Sequence, residues 1–124
     1  MSYDLRFGTK VATDDGSELF VVIGCPEYDS PTYNLGQMFR ACTGWDFKQG
    51  EWYKAEDVLP LIRHGLAELT AYPGKYRKYE PGNGWGTVEG AAHTLRSLIE
   101  GIEEYGEPDG NWSAVPLKYL YVRW

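Results

Sequence analysis

The sequence predicts a single α+β domain over residues 1–124, a small, mostly antiparallel sheet with three helices packed on one face. Segments near both ends of the chain alternate apolar and polar residues with the period of two that a half-buried strand requires. Three segments between them repeat apolar residues at intervals of three and four, which is the spacing of one helical face. A chain of 124 residues has room for one core of ordinary size.

The first two strands are predicted to form a hairpin. Tyr3, Leu5 and Phe7 alternate with polar or small neighbours, and the turn residues Asp14 to Gly16 follow them. The next run, Leu19 to Ile23, is continuously apolar. Such a run is typical of a strand that is covered on both faces.

The first helix has two alternative starts and is predicted to end at Gly44. Asn34 and Gln37 have the spacing of a capping box, whereas Ser30 before Pro31 is an equally regular start. A glycine after the last apolar position is common at a helix C-terminus. The apolar stripe consists of Leu35, Met38, Phe39 and Cys42.

A short strand at Glu51 to Tyr53 is predicted before the second helix, which spans about Glu56 to Ala71. Pro60 fits this helix only in its first turn, where backbone N–H groups have no partner within the helix. The third helix is predicted from an N-cap at Thr87 to a stop at Gly106. The inward positions are Val58, Ile62, Leu66 and Leu69 in the second helix, and Val88, Ala91, Leu95, Leu98, Ile99, Ile102 and Tyr105 in the third.

The two remaining stretches are a long connection, Tyr72 to Gly86, and a terminal strand, Leu117 to Trp124. In that strand Leu120, Val122 and Trp124 share one face, which predicts that the chain end is part of the fold.

Charge and composition exclude several classes of protein. The chain has 12 Lys and Arg against 18 Asp and Glu, a net charge of −6, which argues against direct binding of duplex DNA. No apolar stretch approaches the roughly 20 residues of a membrane span. Two cysteines are too few for a disulfide framework, and no secretory signal is evident, so a cytoplasmic protein is expected.

No pattern in the sequence predicts catalysis, a metal site or a cofactor. Zinc ligands usually occur in close pairs, but Cys25, Cys42, His64 and His93 stand singly. They are expected to be two buried cysteines and two histidines on helix surfaces. The tripeptide Asp46 to Lys48 has the acid-x-lysine form of metal-dependent nucleases but lies in a predicted loop.

The strongest candidate ligand site is the glycine-rich approach to the third helix. Glycines at a helix start leave backbone N–H groups free for a phosphate or carboxylate, and nearby rings can stack on a base. The alternative is an Ω-like surface loop whose basic side chains lie along apolar surface. The candidate residues are Lys75, Arg77, Lys78, Tyr79, Asn83, Gly84, Trp85 and Thr87.

A second candidate is the polar loop before the first helix, where ligands often meet a helix N-terminus. Capping and turn formation use the same residue types and are the alternative. The residues are Asp29, Ser30, Thr32, Tyr33 and Asn34.

Four stretches of the chain resemble a group of small proteins encoded by phages and prophages of gut Firmicutes. They are Pro26 to Asn34, Gly44 to Phe47, Asn83 to Gly86 and Leu120 to Trp124. The resemblance implies a phage protein that acts in the host cytoplasm. Small acidic phage proteins without catalytic motifs often inhibit host defence, so it also implies an anti-CRISPR-like role.

The sequence leads to three candidate functions. The first is a non-enzymatic inhibitor of a host nuclease complex, whose acidic side chains occupy a basic nucleic-acid channel while Trp45, Trp52 and Tyr79 anchor the contact. The second is a sponge for a nucleotide signal, with Lys75, Arg77 and Lys78 on the phosphates. The third is a small hydrolase or transferase. The expected partner is a host defence protein or protein–nucleic-acid complex.

Overall fold

Four strands form one antiparallel sheet in the computed structural model, which describes residues 2–82, 84, 86–106 and 115–124. The strands are β1 (Arg6–Ala12), β2 (Glu18–Gly24), β3 (Trp52–Lys54) and β4 (Tyr121–Arg123). Their order across the sheet is β2-β1-β4-β3, so β2 and β3 are the edges. The helices within the described residues are α1 (Gly36–Thr43), α2 (Ala55–Ala71), α3 (Pro73–Tyr76) and α4 (Val88–Tyr105). The α+β prediction is confirmed.

The core lies between one face of the sheet and the helices. Phe7 and Val122 point into it from β1 and β4 and are fully buried. The ring of Phe7 packs against Gly101 of α4, and Phe39 of α1 contacts the ring of Trp124. The three predicted helices correspond to α1, α2 and α4, and the single turn of α3 is an addition to them.

The ends of α1 and α4 follow their local sequence signals. Gly44 ends α1 with φ of 70°, a left-handed conformation that glycine adopts without strain. At the start of α4 the Thr87 hydroxyl accepts a hydrogen bond from the Gly90 N–H at 3.0 Å. Gly106 follows the last residue of α4, as predicted.

The first and last strands both begin later in the sequence than predicted. The Tyr3 and Leu5 N–H groups donate to the carbonyls of Pro31 and Asp29, so this segment pairs with a loop and β1 begins at Arg6. At the other end of the chain, Leu117–Tyr119 forms a 3-10 turn, and the strand begins only at Tyr121.

The predicted position of Pro60 in the first turn of α2 is wrong. The helix begins at Ala55, so Pro60 is its sixth residue and lacks the N–H that would bond the carbonyl of Glu56. Loss of that bond costs up to about 3 kcal/mol in a helix interior. Burial of Val58 and Ile62 on the opposite side of the helix offsets this cost.

The prediction that β2 is covered on both faces is also wrong. Leu19, Phe20, Val21 and Val22 are 56%, 39%, 42% and 48% exposed. The strand lies at an edge, and the β1–β2 hairpin extends past the part of the sheet that the helices cover.

Membrane insertion by a helix has no support in the described part of the chain, where no helix has both the length and the apolar character to span a bilayer.

Candidate functional site

The two candidate loops meet at one cavity of about 570 Å³. Ser30 and Thr32 line it from the first loop, and Gly84 and Thr87 line it from the approach to α4. Its volume lies in the range of small-molecule sites. The other described residues of the lining are Ser2, Tyr28, Leu35, Gly86 and Gly90.

The N-terminus of α4 is occupied by the protein's own carboxylates. The Val88 N–H donates to the Glu80 carboxylate at 2.9 Å, where an external anion was expected. Arg77 bridges Glu80, at 2.8 Å, and Glu89. The guanidinium lowers the pKa of Glu89 to about 2, and the Val88 N–H followed by Arg77 lowers the pKa of Glu80.

The basic residues of the predicted phosphate site also have partners inside the protein. Lys75 lies 3.3 Å from the Glu68 carboxylate, and the ammonium of Lys78 lies over the ring of Tyr79 at 5.3 Å. Among the described residues that line the cavity, none is a lysine or arginine. The predicted residues Asn83 and Trp85 lie outside the described residues.

The other residues of the first loop have structural partners. Asp29 pairs with Arg6 at 3.3 Å. Tyr33 packs edge-on against the ring of Tyr3, with centroids 4.6 Å apart. Asn34 donates its N–H to the Thr32 hydroxyl at the start of a 3-10 turn. Capping therefore accounts for Thr32 and Asn34.

The three predicted partner anchors lie in three different environments. Trp45 is 6% exposed and packs against Trp124 in the core, so its ring offers no surface to a partner. The prediction that Trp45 anchors a partner is wrong, because the chain turns inward after Gly44, the C-cap of α1, and places the Trp45 ring in the core. Tyr79 is half-buried and stacks on Tyr76 at 6.3 Å. Trp52 lies on the outer side of the sheet, opposite the helices.

Trp52 is part of a cluster that we call the aromatic face. Its indole extends from β3 across β4 to Gly8 of β1, where a Cβ would lie 2.6 Å from the ring. Phe20 stacks with Trp52 at a centroid distance of 5.0 Å, and Tyr121 meets Phe20 edge-on at the same distance. The aromatic face consists of Phe20, Trp52, Tyr121, Lys10 and Arg123.

Two cations belong to this face. The Lys10 ammonium lies 5.3 Å from the ring centroids of both Phe20 and Tyr121, and the Arg123 guanidinium lies 5.0 Å from that of Trp52. Such contacts are worth about 0.5–1 kcal/mol each at exposed sites. The rings of this face are therefore accompanied by two cations, of which Lys10 also pairs with Glu18 at 3.6 Å, whereas the sequence predicts acidic neighbours.

Exposed carboxylates occur elsewhere, on the helices. Glu103 and Glu104 lie near the end of α4, where Glu103 pairs at 3.5 Å with Arg63 from the middle of α2. Glu56 and Asp57 are exposed in the first turn of α2. The acidic and aromatic surfaces are thus separate.

Nucleophiles and metal ligands do not assemble in the described structure. Among the described residues, no three or more His, Cys, Asp or Glu side chains are grouped to hold a metal ion. Cys42 is buried, and burial raises the pKa of its thiol to about 12. Cys25 is exposed at the end of β2, contrary to the prediction that it is buried. His64 and His93 are exposed on helices, as predicted.

The sequence singled out one of the five residues of the aromatic face, Trp52. The alternation that turns Leu120, Val122 and Trp124 inward also predicts that Tyr121 and Arg123 share the outer side of the last strand. This is correct, but their neighbours come from other strands. Phe20 lies within a continuous apolar run, so no alternation in the sequence indicates which side of the strand it faces.

Comparison of the chain with protein-family models, curated proteins and solved structures finds no match.

Proposed function

We propose that this protein acts by binding and not by catalysis, and that the aromatic face docks on a nuclease complex of host defence. The observation that carries the proposal is a cluster of three rings, in which Phe20 contacts both Trp52 and Tyr121, with two cations against them, on the side of the sheet opposite the helices. Binding energy at interfaces concentrates in a few large side chains, among which Trp, Tyr and Arg are enriched.

The rings are held in place before any partner arrives. Trp52 rests on Gly8, and Phe20 and Tyr121 contact one another on the same surface. Side chains that are already ordered lose little conformational entropy on binding. The aromatic face is therefore suited to bind a partner surface that presents planar groups, on which its rings can stack.

The charges of this face favour an anionic partner surface. Lys10 and Arg123 project from a chain whose net charge is −6. The nucleic acid held by a defence nuclease offers phosphates to these cations and unstacked bases to the rings. The overall negative charge opposes binding to free nucleic acid, which favours the complex as the partner.

The resemblance to phage proteins supplies the biological context of the proposal. It implies that the complex is a CRISPR nuclease and that binding inhibits it. The exposed carboxylates of α2 and α4 give an alternative mode of inhibition, in which they occupy a basic channel.

A cleavage assay with CRISPR nuclease complexes from Firmicutes tests the proposal. The doubly reversed variant Lys10→Glu, Arg123→Glu should need at least about tenfold more protein for half-inhibition, which corresponds to about 1.4 kcal/mol. Tyr121→Ala should weaken inhibition in the same direction. Both changes are on the sheet surface, and circular dichroism serves to check that the variants fold.

The matched control reverses two charges near the C-terminus of α4, Glu103→Lys with Glu104→Lys, and should leave inhibition unchanged. If this control abolishes inhibition while the variants of the aromatic face retain it, the carboxylates are the binding surface. Absence of inhibition by the natural sequence in every complex assayed would refute the proposed role.

Ligand binding at the cavity is a second candidate function, favoured by its volume and by the convergence of the two loops. Its hydroxyl groups suit a neutral polar ligand better than phosphates, since the described lining contains no cation. Calorimetry with cyclic and linear nucleotides and with the matching nucleosides tests it. One-to-one binding that Ser30→Ala weakens would support a nucleotide or nucleoside sponge, and no heat with either class would exclude it.

A further inference from the structure

Within the described residues, the outer edge of β2 carries no device against pairing with another strand. In the described structure β1 is the only neighbour of β2 in the sheet. Proteins usually shield such edges with charges, proline or a bulge. In β2 the only charged residue is Glu18 at its first position, and the strand contains no proline. Its register shift lies at the far end, opposite Phe7 and Gly8.

We propose that β2 pairs with β2 of a second copy of this chain. The two strands run antiparallel about a two-fold axis through Val21 and join the two sheets into one sheet of eight strands, four from each copy. The pairing satisfies backbone groups that the strand otherwise presents to water.

The sequence of β2 is complementary to itself in this arrangement. An axis through Val21 sets Phe20 opposite Val22 of the second copy, and Leu19 opposite its Ile23. Both are apolar cross-strand pairs, which stabilise a sheet by about 0.2–1 kcal/mol each. A two-fold axis repeats each pair, so the five residues Leu19 to Ile23 all have apolar partners.

The position of the one charged residue of β2 also allows an identical strand to pair with it. The axis places Glu18 opposite Gly24 of the second copy, at the end of the pair. The two Glu18 side chains are then separated by six residues, about 20 Å along the strands. Since the strand has no other charge, nothing in it repels an identical strand or selects a charged one.

Exposed apolar side chains flank the free edge on both faces of the β1–β2 hairpin. Leu19, Val21 and Val22 are about half exposed, and Val11 of β1, which pairs with Leu19, is 41% exposed. Because successive residues of a strand point to opposite faces, Leu19, Val21 and Val11 lie on one face of the hairpin, and Phe20 and Val22 lie on the other. Pairing of two β2 strands therefore brings apolar side chains together on both faces of the joined sheet.

The inference does not rest on the proposed function, although both involve Phe20. Pairing sets Phe20 beside Val22 of the second copy, whereas Trp52 of β3 and Tyr121 and Arg123 of β4 lie away from the β2 edge. Loss of the dimer without loss of inhibition, or the reverse, would therefore identify which of the two proposals fails.

Sedimentation velocity and light scattering of the full chain test the dimer. The natural sequence should have twice the mass of the chain at micromolar concentration. Val21→Lys places two like charges on the axis and should give the monomer mass. The matched control Tyr72→Lys changes a side chain that is 59% exposed but distant from β2, and it should remain dimeric. A monomeric natural protein, or a Val21→Lys variant that stays dimeric, overturns the proposal.

A disulfide test fixes the register without relying on a disruptive change. In a Cys25→Ser background, Val21→Cys places two thiols at the axis, within the Cα separation of about 7 Å that a disulfide allows. Oxidation should link the two copies. Glu18→Cys in the same background should link much less, because its two thiols are about 20 Å apart in this register. Equal linking of both variants, or none by Val21→Cys, would contradict the pairing.

Discussion

Gly101 is a residue at which packing outweighs helix propensity. It lies inside α4, where alanine is intrinsically favoured over glycine by about 1 kcal/mol. A Cβ at this position, however, would lie 2.3 Å from the ring of Phe7, which is fully buried. The absence of a side chain is what allows α4 to approach β1.

We expect Gly101→Ala to lower the free energy of unfolding by about 1–3 kcal/mol, the usual cost of an overpacked core. Urea denaturation followed by circular dichroism measures this loss. Gly74→Ala is the control, since a Cβ there meets nothing within 4 Å, and it should be neutral or stabilise by up to about 1 kcal/mol. Equal stabilisation by both changes would mean that Phe7 moves freely.

At the scale of the element, the start of α4 depends on two ionised carboxylates. Glu80 accepts the Val88 N–H, and Arg77 bridges Glu80 to Glu89. Both glutamates have a pKa lowered in the folded state, that of Glu89 from 4.5 to about 2. A lowered folded pKa contributes stability above the ordinary pKa of 4.5, and this contribution is lost as the pH falls towards 2.

The melting temperature should therefore fall as the pH is lowered from about 4.5 to 2, and Glu89→Gln should reduce that dependence. Thermal unfolding at a series of pH values measures both. Glu100→Gln changes an exposed glutamate of the same helix that makes no ion pair among the described residues, so it should keep the natural dependence. Parallel curves for Glu89→Gln and the natural protein would contradict the role of the bridge.

At the scale of the whole molecule, the last residue of the chain joins segments that are distant in sequence. The ring of Trp124 stacks on Phe47 at a centroid distance of 4.0 Å and meets Tyr3 and Trp45 edge-on. Its carbonyl accepts the Gly50 N–H at 2.7 Å. The loop after α1, the N-terminal segment and the last strand therefore share one anchor.

Trp124→Ala should lower the free energy of unfolding by about 3–5 kcal/mol, because it leaves a large cavity. Trp124→Phe should cost clearly less, since a ring remains against Phe47 and the indole N–H has no hydrogen-bond partner among the described residues. Urea denaturation of both variants compares them. A similar loss for Phe and Ala would show that the full indole volume, and not the stacked ring, is essential.

Much of this fold could be predicted because local sequence signals report local geometry. Thr87 and Gly106 bound α4 through caps that involve only adjacent residues. The alternation of Leu120 to Trp124 correctly identified which side chains face the core. Both candidate loops were recognised from their turn residues, but only the tertiary structure brings Ser30 and Thr87 to one cavity.

The sequence by itself determined which side of each element is apolar, where most helices begin and end, and that the net charge is negative. Only the tertiary structure decided which apolar surface is covered, because coverage depends on strand order and on how far the helices extend. The apolar run of β2 therefore lies at an exposed edge, and Trp52 meets Phe20, Lys10 and Arg123 from other strands. These neighbours are set by pairing between segments distant in the chain, which no local pattern encodes.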